Sequence, residues 1–449
     1  MSVSLLSAWG QTHPVPTQGA EAPIRLDQIQ VIGSHNSYHA GLTAERLAEI
    51  AAVNPDLAAL LDYRHASLTQ QLDAGVRQIE LDLYADDKGG RFARPHRPGR
   101  PDIIWPLAPS ARAVMERPGI KVMHIPDLDQ HATCLTLSTC LKEVTSWSQA
   151  HPRHIPIFII LETEQRDEVP GGTSVQPFTR QTFDALDATI RAEIPADRLL
   201  TPDDLHAPGE TLSAAIAARG WPALSKTLGK IVFLLDQRHD GPTYLQGHPG
   251  LKGRIAFPNA DPNATEAAFT ELNDGPEQQV TALVKQHLLV RIRADADTKE
   301  GRSGAIGRRD KALRSGAQLI STDYPDSEPA RWSGYRVGFP NGRAARCNPV
   351  TVPEASAACR DEALSAGASD APVLTRLVLV MRHGIRSALS GQQPDLATLP
   401  ATWPHWAGRP GDLTPHGAEA FHLRENRSAN GSSRTPCSRL VYALLPAAF

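Results

Sequence analysis

The sequence has few of the features that mark a membrane-spanning or nucleic-acid-binding protein. No apolar run in its 449 residues reaches the roughly 18 residues expected of a membrane span. The formal net charge is only −3, which gives no electrostatic argument for a nucleic-acid partner. Hydrophobic residues make up 41% of the chain and charged residues 21%, the composition of a soluble globular protein. The chain is too long for one ordinary domain.

Basic residues are absent from the N-terminal segment, and the chain has only five cysteines. Residues 1–22 hold neither Lys nor Arg, so they lack the basic start of a secretory signal. We interpret them as an N-terminal extension, or as a signal remnant if the true start lies upstream. Cys134 and Cys140 lie six residues apart, and Cys347 and Cys359 twelve. Each pair either closes a small loop in an oxidising compartment or consists of buried free thiols. We expect a secreted or periplasmic location.

Short apolar, β-branched runs recur along the first three quarters of the chain. They predict eight strands, at 28–33, 78–84, 120–124, 156–162, 230–236, 253–257, 287–292 and 317–322. Helical patterns lie between several of them, at 45–61, 140–151, 178–194 and in the second half of 264–286. Alternating strands and helices predict a parallel sheet. Eight strands over about 300 residues suit a (β/α)8 barrel of the TIM type.

Oxygen-bearing side chains occur where predicted strands end. Asn36 follows the first strand, Glu80 and Asp82 share one face of the second, and Glu162 ends the fourth. All four offer hard oxygen ligands, which favour Ca²⁺ or Mg²⁺ over zinc. A solvated strand face is the alternative for Glu80 and Asp82. On the inward face of a barrel strand, however, two carboxylates would need a cation or bases.

Two histidines suit proton transfer at the same end of the barrel. His35 follows predicted strand one and His124 ends predicted strand three, so the carboxylate strand would lie between them. A structural hydrogen bond is the alternative for either residue. Arg293 follows strand seven, where it would lie near a bound phosphate or in a surface loop with internal ion pairs. Other histidines compete for the second position: His39, His96 and His131.

These residues lie in an ordered series of motifs that resembles the phosphatidylinositol-specific phospholipase C superfamily, in particular its calcium-dependent bacterial and fungal branch. The similarity covers roughly residues 23–349. The matching segments are 33–38, 71–77 leading into 80–82, 121–124 with Asp127 and Asp129, Cys134 with Cys140, 158–162, and 321–325. Singly the motifs are modest, but in this order on eight strands they are fairly specific.

The resemblance implies a catalytic mechanism and assigns residues to it. Asn36, Glu80, Asp82 and Glu162 match the family's Ca²⁺ ligands, and His35 with a second histidine carries the acid–base steps. We favour His124 as the general acid, with His131 second. The inositol 2-hydroxyl would attack its own phosphate and diacylglycerol would leave. The implied partner is a phosphoinositide or a related phosphodiester, with peripheral membrane contact, and the protein is expected to be a monomer.

A second pattern begins near residue 374. Residues 378–386 run from an apolar strand into Arg382-His383-Gly384-Ile385-Arg386, which resembles the start of a histidine acid phosphatase. There His383 would be the nucleophile and the arginines a phosphate clamp. The family's distal His-Asp element is not found before residue 449. We therefore expect an incomplete α/β fragment without phosphatase activity.

The predicted organisation follows from these two resemblances. An extension at 1–22 precedes a phospholipase C-like barrel at 23–347. An Ala-, Ser- and Pro-rich linker at 348–371 leads to the phosphatase-like fragment at 372–421. A Ser- and Arg-rich tail that includes Cys437 occupies 422–449 and has the character of disordered or out-of-frame sequence.

Three functions remain open from sequence. A calcium-dependent phosphoric diester hydrolase or lyase, similar to phosphoinositide phospholipase C, is favoured. A glycerophosphodiesterase-like hydrolase of a soluble diester would use the same barrel and residues. The third is a catalytically decayed barrel, which is ranked lower because all four predicted cation ligands are present.

Overall fold

The computed structural model describes residues 23–97, 100–105, 107–167 and 169–352, with the backbone alone for 100–103. The predicted 1–22 extension, most of the 348–371 linker, Cys359, the phosphatase-like fragment at 372–421 and the tail at 422–449 lie outside these residues. The described part therefore corresponds to the predicted barrel.

The strands of the described residues are short, and most are fully buried. In chain order they are β1 Ile29–Ser34, β2 Gln78–Tyr84, β3 His96–Arg97, β4 Arg100–Ile104, β5 Lys121–Val122, β6 Ile157–Thr163, β7 Leu199–Leu200, β8 Ile231–Leu235, β9 Ala256–Pro258, β10 Phe269–Glu271, β11 Leu289–Arg293, β12 Leu319–Thr322 and β13 Ala345–Cys347.

Eight parallel strands form the predicted TIM-type barrel. Their order around the ring is β1, β2, β6, β8, β9, β10, β11 and β12, and β12 pairs with β1 again. Consecutive apolar residues such as those of β6 are buried on both faces, as expected for barrel strands covered by helices. The carboxyl ends of all eight strands therefore lie at one end of the barrel, where enzymes of this fold place their chemistry.

The ring is thin between β9 and β10, as it is between β1 and β2, which share one registered pair. One parallel bridge, between Asn259 and Phe269, joins β9 and β10. The Asn259 side chain adds contacts there: its Oδ1 accepts hydrogen bonds from the Glu271 amide at 3.2 Å and from Arg238 at 3.2 Å. Side-chain hydrogen bonds therefore supplement the backbone ladder at this seam.

The predicted count of eight barrel strands is confirmed, but one member differs. Residues 120–124 supply only β5, which pairs antiparallel with the end of β2 and is not part of the ring. The missing barrel strand is β10, in the first half of 264–286, where the sequence predicted neither helix nor strand. Both strands have only two or three residues, too few for side-chain alternation to identify.

Helices connect the strands, and α5 and α6 are the longest at 14 residues each. The break expected at Pro55 is present, because Asn54 ends α1 and its side chain caps α2. The α-helices of the described residues are α1 Ala44–Val53, α2 Pro55–Leu60, α3 Leu68–Asp73, α4 Pro109–Met115, α5 Leu137–Ala150, α6 Arg180–Glu193, α7 Leu212–Arg219, α8 Leu224–Thr227, α9 Gly241–Tyr244, α10 Glu277–Val284, α11 Lys299–Ser303 and α12 Gly307–Arg314.

Two local features constrain the backbone at β1 and at α5. A Cβ on Gly33 would lie 2.6 Å from Cβ of Gln78, which cannot swing aside, so only glycine allows β1 to approach β2 this closely. Cys134 and Cys140 form a disulfide at the start of α5, the first of the two alternatives that the sequence left open. None of the helices among the described residues has the length and apolarity to cross a bilayer.

Candidate functional site

The predicted cation ligands come together at the carboxyl end of the barrel. Glu80 and Asp82 lie two residues apart on β2, and Asp82 is in register with Glu162 on the neighbouring strand β6. Carboxylate oxygens of Glu80, Asp82 and Glu162 lie within 4.8 Å of one another. We call these three residues the acidic cluster. The alternation of E-x-D along β2 was sufficient to predict that its carboxylates share a face.

Asn36 adds an amide oxygen beside the acidic cluster. It lies in the turn after β1 with a φ of 46°, a left-handed conformation that Asn tolerates better than most residues. Its Nδ2 donates to the Tyr63 hydroxyl at 2.9 Å. Among the described residues, Oδ1 of Asn36 and Oδ1 of Asp82 are buried with no hydrogen-bond partner. Buried oxygen acceptors that receive no hydrogen bond are suited to ligate a cation.

Electrostatics supports the same assignment. Burial raises the pKa of both Asp82 and Glu162 well above the ordinary values, and the neighbouring carboxylates raise each pKa further. A divalent cation would remove that repulsion and hold the carboxylates ionised. The donor set of three carboxylates and one amide oxygen fits Ca²⁺.

Each member of the acidic cluster also accepts from a neighbouring donor. Arg291 on β11 forms an ion pair with Glu80. The Tyr38 hydroxyl donates to Oδ2 of Asp82 at 2.6 Å. The Gln237 amide donates to Oε1 of Glu162 at 3.0 Å. Such contacts orient metal ligands.

These three donors were not identified from sequence. Tyr38 and Gln237 reach the acidic cluster from turns, so no strand periodicity marks them. Arg291 did carry a signal, since it precedes Arg293 by two residues and so shares a face of β11 with it.

His35 is hydrogen-bonded to a carboxylate that directly follows β12, the neighbouring strand of the ring. Its Nδ1 lies 2.8 Å from Oδ1 of Asp323, and Arg293 contacts the same oxygen at 3.1 Å. Burial lowers the pKa of His35, and Arg293 lowers it further. Burial opposes ionisation of Asp323, yet Arg293 and His35 bring its pKa below the ordinary value. His35 is therefore a neutral imidazole that donates Nδ1–H and keeps Nε2 as an acceptor.

His124 lies beyond β5, not at the end of a barrel strand as predicted. A turn at residues 125–129 returns the chain, and Nδ1 of His124 lies 3.0 Å from Oδ2 of Asp129. Nε2 of His39 contacts the same oxygen at 2.7 Å. We call His39, Asp129 and His124 the imidazole cluster. Burial opposes ionisation of Asp129, but the two histidines lower its pKa below the ordinary value.

One cavity of about 260 Å³ connects the two clusters. The other predicted residues lie around it or apart from it. Glu80 contacts His35 at 3.6 Å, and Arg293 approaches His35 through Asp323. His131 lies in a different pocket beside Leu42 and Arg46, so the structure does not bring it to the cavity. The cavity is lined by His35, Asn36, Asp82, Tyr84, His124, Ile125, Glu162, Glu164, Arg166 and Gln237.

The barrel carries a carboxylate cluster suited to a hard cation, and two imidazoles line the cavity beside it, which is the arrangement of a metal-assisted hydrolytic enzyme. More particularly, residues 24–349 match the family model of the Ca²⁺-dependent phosphoinositide phospholipase C. The chain belongs to this family. It is accordingly a phosphoric diester hydrolase that uses Ca²⁺ and acts on phosphoinositides. The match does not include the Arg382-His383-Gly384 segment.

Solved structures of bacterial phospholipases C are similar to this chain at low identity. A calcium-dependent enzyme from Pseudomonas sp. with myoinositol is 15% identical over 75% of this chain and 100% of its own, with a TM-score of 0.46. A Ca²⁺-dependent enzyme from Streptomyces antibioticus is 18% identical over 67% and 95%, with a TM-score of 0.41. The Listeria monocytogenes enzyme is 14% identical over 68% and 92%, with a TM-score of 0.36. No curated protein gives a significant match.

Proposed function

We propose that the acidic cluster and Asn36 hold Ca²⁺ while His35 and His124 carry out acid–base cleavage of a phosphoinositide. The observation that carries this proposal is one cavity lined by both histidines and by three of the four oxygen ligands. Bound Ca²⁺ would supply positive charge that lowers the pKa of the substrate hydroxyl and offsets charge developing on the phosphate.

The two histidines have different protonation requirements. His35, kept neutral by burial and oriented by Asp323, accepts the proton of the inositol 2-hydroxyl as that oxygen attacks phosphorus. His124 donates Nδ1–H to Asp129 and protonates the departing diacylglycerol oxygen from Nε2. The product of the first step is then a cyclic inositol phosphate.

Arg293 supports the role of His35 as the general base. Its Nη2 lies 3.1 Å from Oδ1 of Asp323 and 3.9 Å from Asp295. Its positive charge helps keep Asp323 ionised, and thereby helps keep His35 in the tautomer that a general base requires. A direct contact with the phosphate, expected from sequence, is compatible with the same position.

The decisive measurement is release of inositol phosphate from phosphatidylinositol vesicles, with Ca²⁺ and with a chelator. We expect activity to require Ca²⁺ and to be lost in His35→Ala. Activity that survives chelation or this substitution would contradict the mechanism.

Two alternative functions have direct tests. Preferential hydrolysis of glycerophosphocholine or glycerophosphoinositol over phosphatidylinositol would indicate a glycerophosphodiesterase-like enzyme. Calorimetry that shows no Ca²⁺ binding would indicate a decayed barrel. The unpartnered oxygens of Asn36 and Asp82, as far as the described residues show, favour a working cation site over a decayed one.

A peripheral membrane contact is proposed for the helices after β1. Val53 at the end of α1 is 88% exposed, and Leu60 at the end of α2 is also exposed. Thr298 donates to the Ala59 carbonyl at 2.8 Å, which places the segment leading to exposed Ile306 beside α2. Exposed apolar side chains on these neighbouring segments suit the surface of a lipid bilayer. Replacing Val53 and Leu60 by Ser should reduce vesicle binding while sparing hydrolysis of a soluble substrate.

Export and a monomeric state are further parts of the proposal. The Cys134–Cys140 disulfide supports an oxidising, secreted or periplasmic location. Sedimentation at several concentrations would test the monomer. The phosphatase-like fragment stays predicted to be inactive, and trapping of phosphohistidine at His383 would contradict that.

A further inference from the structure

His39 has no task in the mechanism proposed above, yet it belongs to the imidazole cluster. It is fully buried, and so is Asp129. Oδ2 of Asp129 accepts from Nε2 of His39 at 2.7 Å and from Nδ1 of His124 at 3.0 Å. One carboxylate oxygen therefore serves two imidazoles, and only His124 lines the cavity.

Two imidazoles and a carboxylate are also a ligand set for a transition metal. The surroundings of His39 favour hydrogen bonds instead. A metal-bound imidazole normally donates its second N–H to an acceptor. Among the described residues, Nδ1 of His39 is buried with no partner. A metal on Nε2 would leave a proton on Nδ1 as an unsatisfied buried donor, which is costly. When Nε2–H is donated to Asp129, Nδ1 carries a lone pair and no proton, so no buried donor is left unsatisfied.

The backbone holds His39 rigidly between the two halves of the site. Its amide donates to the Asn36 carbonyl at 2.8 Å, and its carbonyl accepts from the His65 amide at 2.8 Å. It also bridges to Ala132, in the segment after Asp129. The His39 ring lies 4.4 Å from the Tyr63 ring, centroid to centroid. His39 thus has a fixed position from which to orient Asp129.

We propose that His39 is a positioning residue that fixes Asp129 and, through it, the ring orientation and Nδ1–H tautomer of His124. This inference rests on the proposed function, in which His124 protonates the leaving oxygen. Without the His39 bond, the Asp129 carboxylate would be free to turn and would lose one of the two donors that compensate its buried charge. His124 would then protonate the leaving group from a less well-defined geometry.

The test compares two variants and two substrates. His39→Phe keeps a ring against Tyr63 but removes the N–H, whereas His39→Gln keeps an N–H within reach of Asp129. His154→Phe is the matched control, a buried histidine paired with Ser148 away from the cavity. Each variant is assayed at saturating Ca²⁺ on phosphatidylinositol and on an aryl ester of inositol phosphate. The aryl leaving group needs little protonation.

We expect His39→Phe to lower kcat on phosphatidylinositol about 10- to 100-fold with little change in KM. On the aryl ester the loss should be only a few-fold, and His39→Gln should recover most of the phosphatidylinositol activity. A general structural defect would lower kcat on both substrates equally, and that result would overturn the proposal. Unchanged kcat in His39→Phe would overturn it as well.

Other outcomes distinguish a failure of this inference from a failure of the proposed function. If His124→Gln retains full activity, the role of His124 in the proposed function fails, irrespective of His39. A stoichiometric transition metal that is lost in His39→Gln would identify a metal centre and overturn the positioning role. If His39→Phe does not fold, the activity of His39→Gln decides. The proposal would be contradicted if His39→Gln lost activity on both substrates, and lost as much as His124→Gln loses on phosphatidylinositol.

Discussion

The acidic cluster and the imidazole cluster lie at one cavity, and both place potential metal ligands within 4.8 Å. They differ in charge balance. In the imidazole cluster, Oδ2 of the single carboxylate, Asp129, accepts from His39 and His124, and the two histidines lower the pKa of Asp129. In the acidic cluster, burial and the neighbouring carboxylates raise the pKa of Asp82 and of Glu162. Among the described residues, Oδ1 of Asp82 and Oδ1 of Asp129 both lack a hydrogen-bond partner. The same spacing of ligand atoms therefore indicates a cation site in one case and a hydrogen-bonded relay in the other.

The largest expected effect comes from removing charge from the acidic cluster. The double variant Asp82→Asn, Glu162→Gln should lose roughly 10⁴-fold in activity, because a catalytic cation contributes several kcal/mol to transition-state stabilisation. Calorimetry should show that Ca²⁺ binding is abolished. Glu164→Gln is the control, since Glu164 lines the cavity outside the acidic cluster. If Glu164→Gln lost as much Ca²⁺ affinity as the double variant, Ca²⁺ binding would not be specific to the acidic cluster.

The imidazole cluster should respond differently. His124→Gln is expected to lower kcat roughly 10³-fold through loss of general acid catalysis. Its affinity for Ca²⁺ should be unchanged, because His124 bonds to Asp129 and not to the acidic cluster. Weakened Ca²⁺ binding in this variant would mean that the two clusters are not separate in function.

The two clusters should also differ in their response to pH. The folded-state pKa values of Asp82 and Glu162 are raised, so without Ca²⁺ stability falls as pH rises from their ordinary values toward the raised ones. Ca²⁺ binds the ionised carboxylates. The Ca²⁺-induced increase in Tm should therefore grow with pH, to on the order of 5 °C at about pH 8. A shift independent of pH between about 5 and 8 would contradict a carboxylate site.

The smallest effect is expected at His65, which supports the turn between the clusters. Nδ1 of His65 lies 2.6 Å from Glu328, and Nε2 donates to the His35 carbonyl at 2.9 Å. Burial alone would lower the pKa of His65, but Glu328 raises it, while the pKa of Glu328 is lowered against its own burial by His65.

The pH window for this pair follows from those two directions. The His65 contribution is fully present below its ordinary pKa of 6.5 and is lost as pH rises through the raised folded value. The Glu328 contribution is present above 4.5 and is lost as pH falls through the lowered folded value. Glu328→Gln should therefore lower Tm by about 2–4 °C near pH 5.5 and by less near pH 9. Equal losses at both pH values would refute the ion pair.

Sequence periodicity was enough to predict the acidic cluster but not the imidazole cluster. Glu80 and Asp82 share a face because every strand alternates, and Glu162 follows an unbroken apolar run. The position of Asp129 depends on a turn in which Asp127 has a φ of 66°, and no alternation marks such a turn. His39 was considered as a rival to His124, whereas the structure makes it a partner through Asp129.

Short strands limited the prediction of the fold in the same way. Residues 120–124 are apolar enough for a barrel strand, but only Lys121–Val122 is extended. These two residues pair antiparallel with the end of β2, on the side of β2 away from β6. Phe269–Glu271 completes the ring because long-range pairing with β11 selects it. Such pairing is a property of the assembled barrel, so a local pattern of three residues cannot reveal it.

The seam between β9 and β10 is a point at which the barrel should open readily. Six of the eight neighbouring strand pairs in the ring share at least three residue pairs, whereas β1 and β2 share one, and β9 and β10 share one bridge that the carboxamide of Asn259 supplements. Local opening is easiest where few backbone hydrogen bonds must break together. Amide hydrogens of β10 should therefore exchange with solvent faster than those of β6, and Asn259→Ala should widen that difference. One amide side chain thus helps the barrel to behave as a closed cylinder rather than as a curled sheet with two edges.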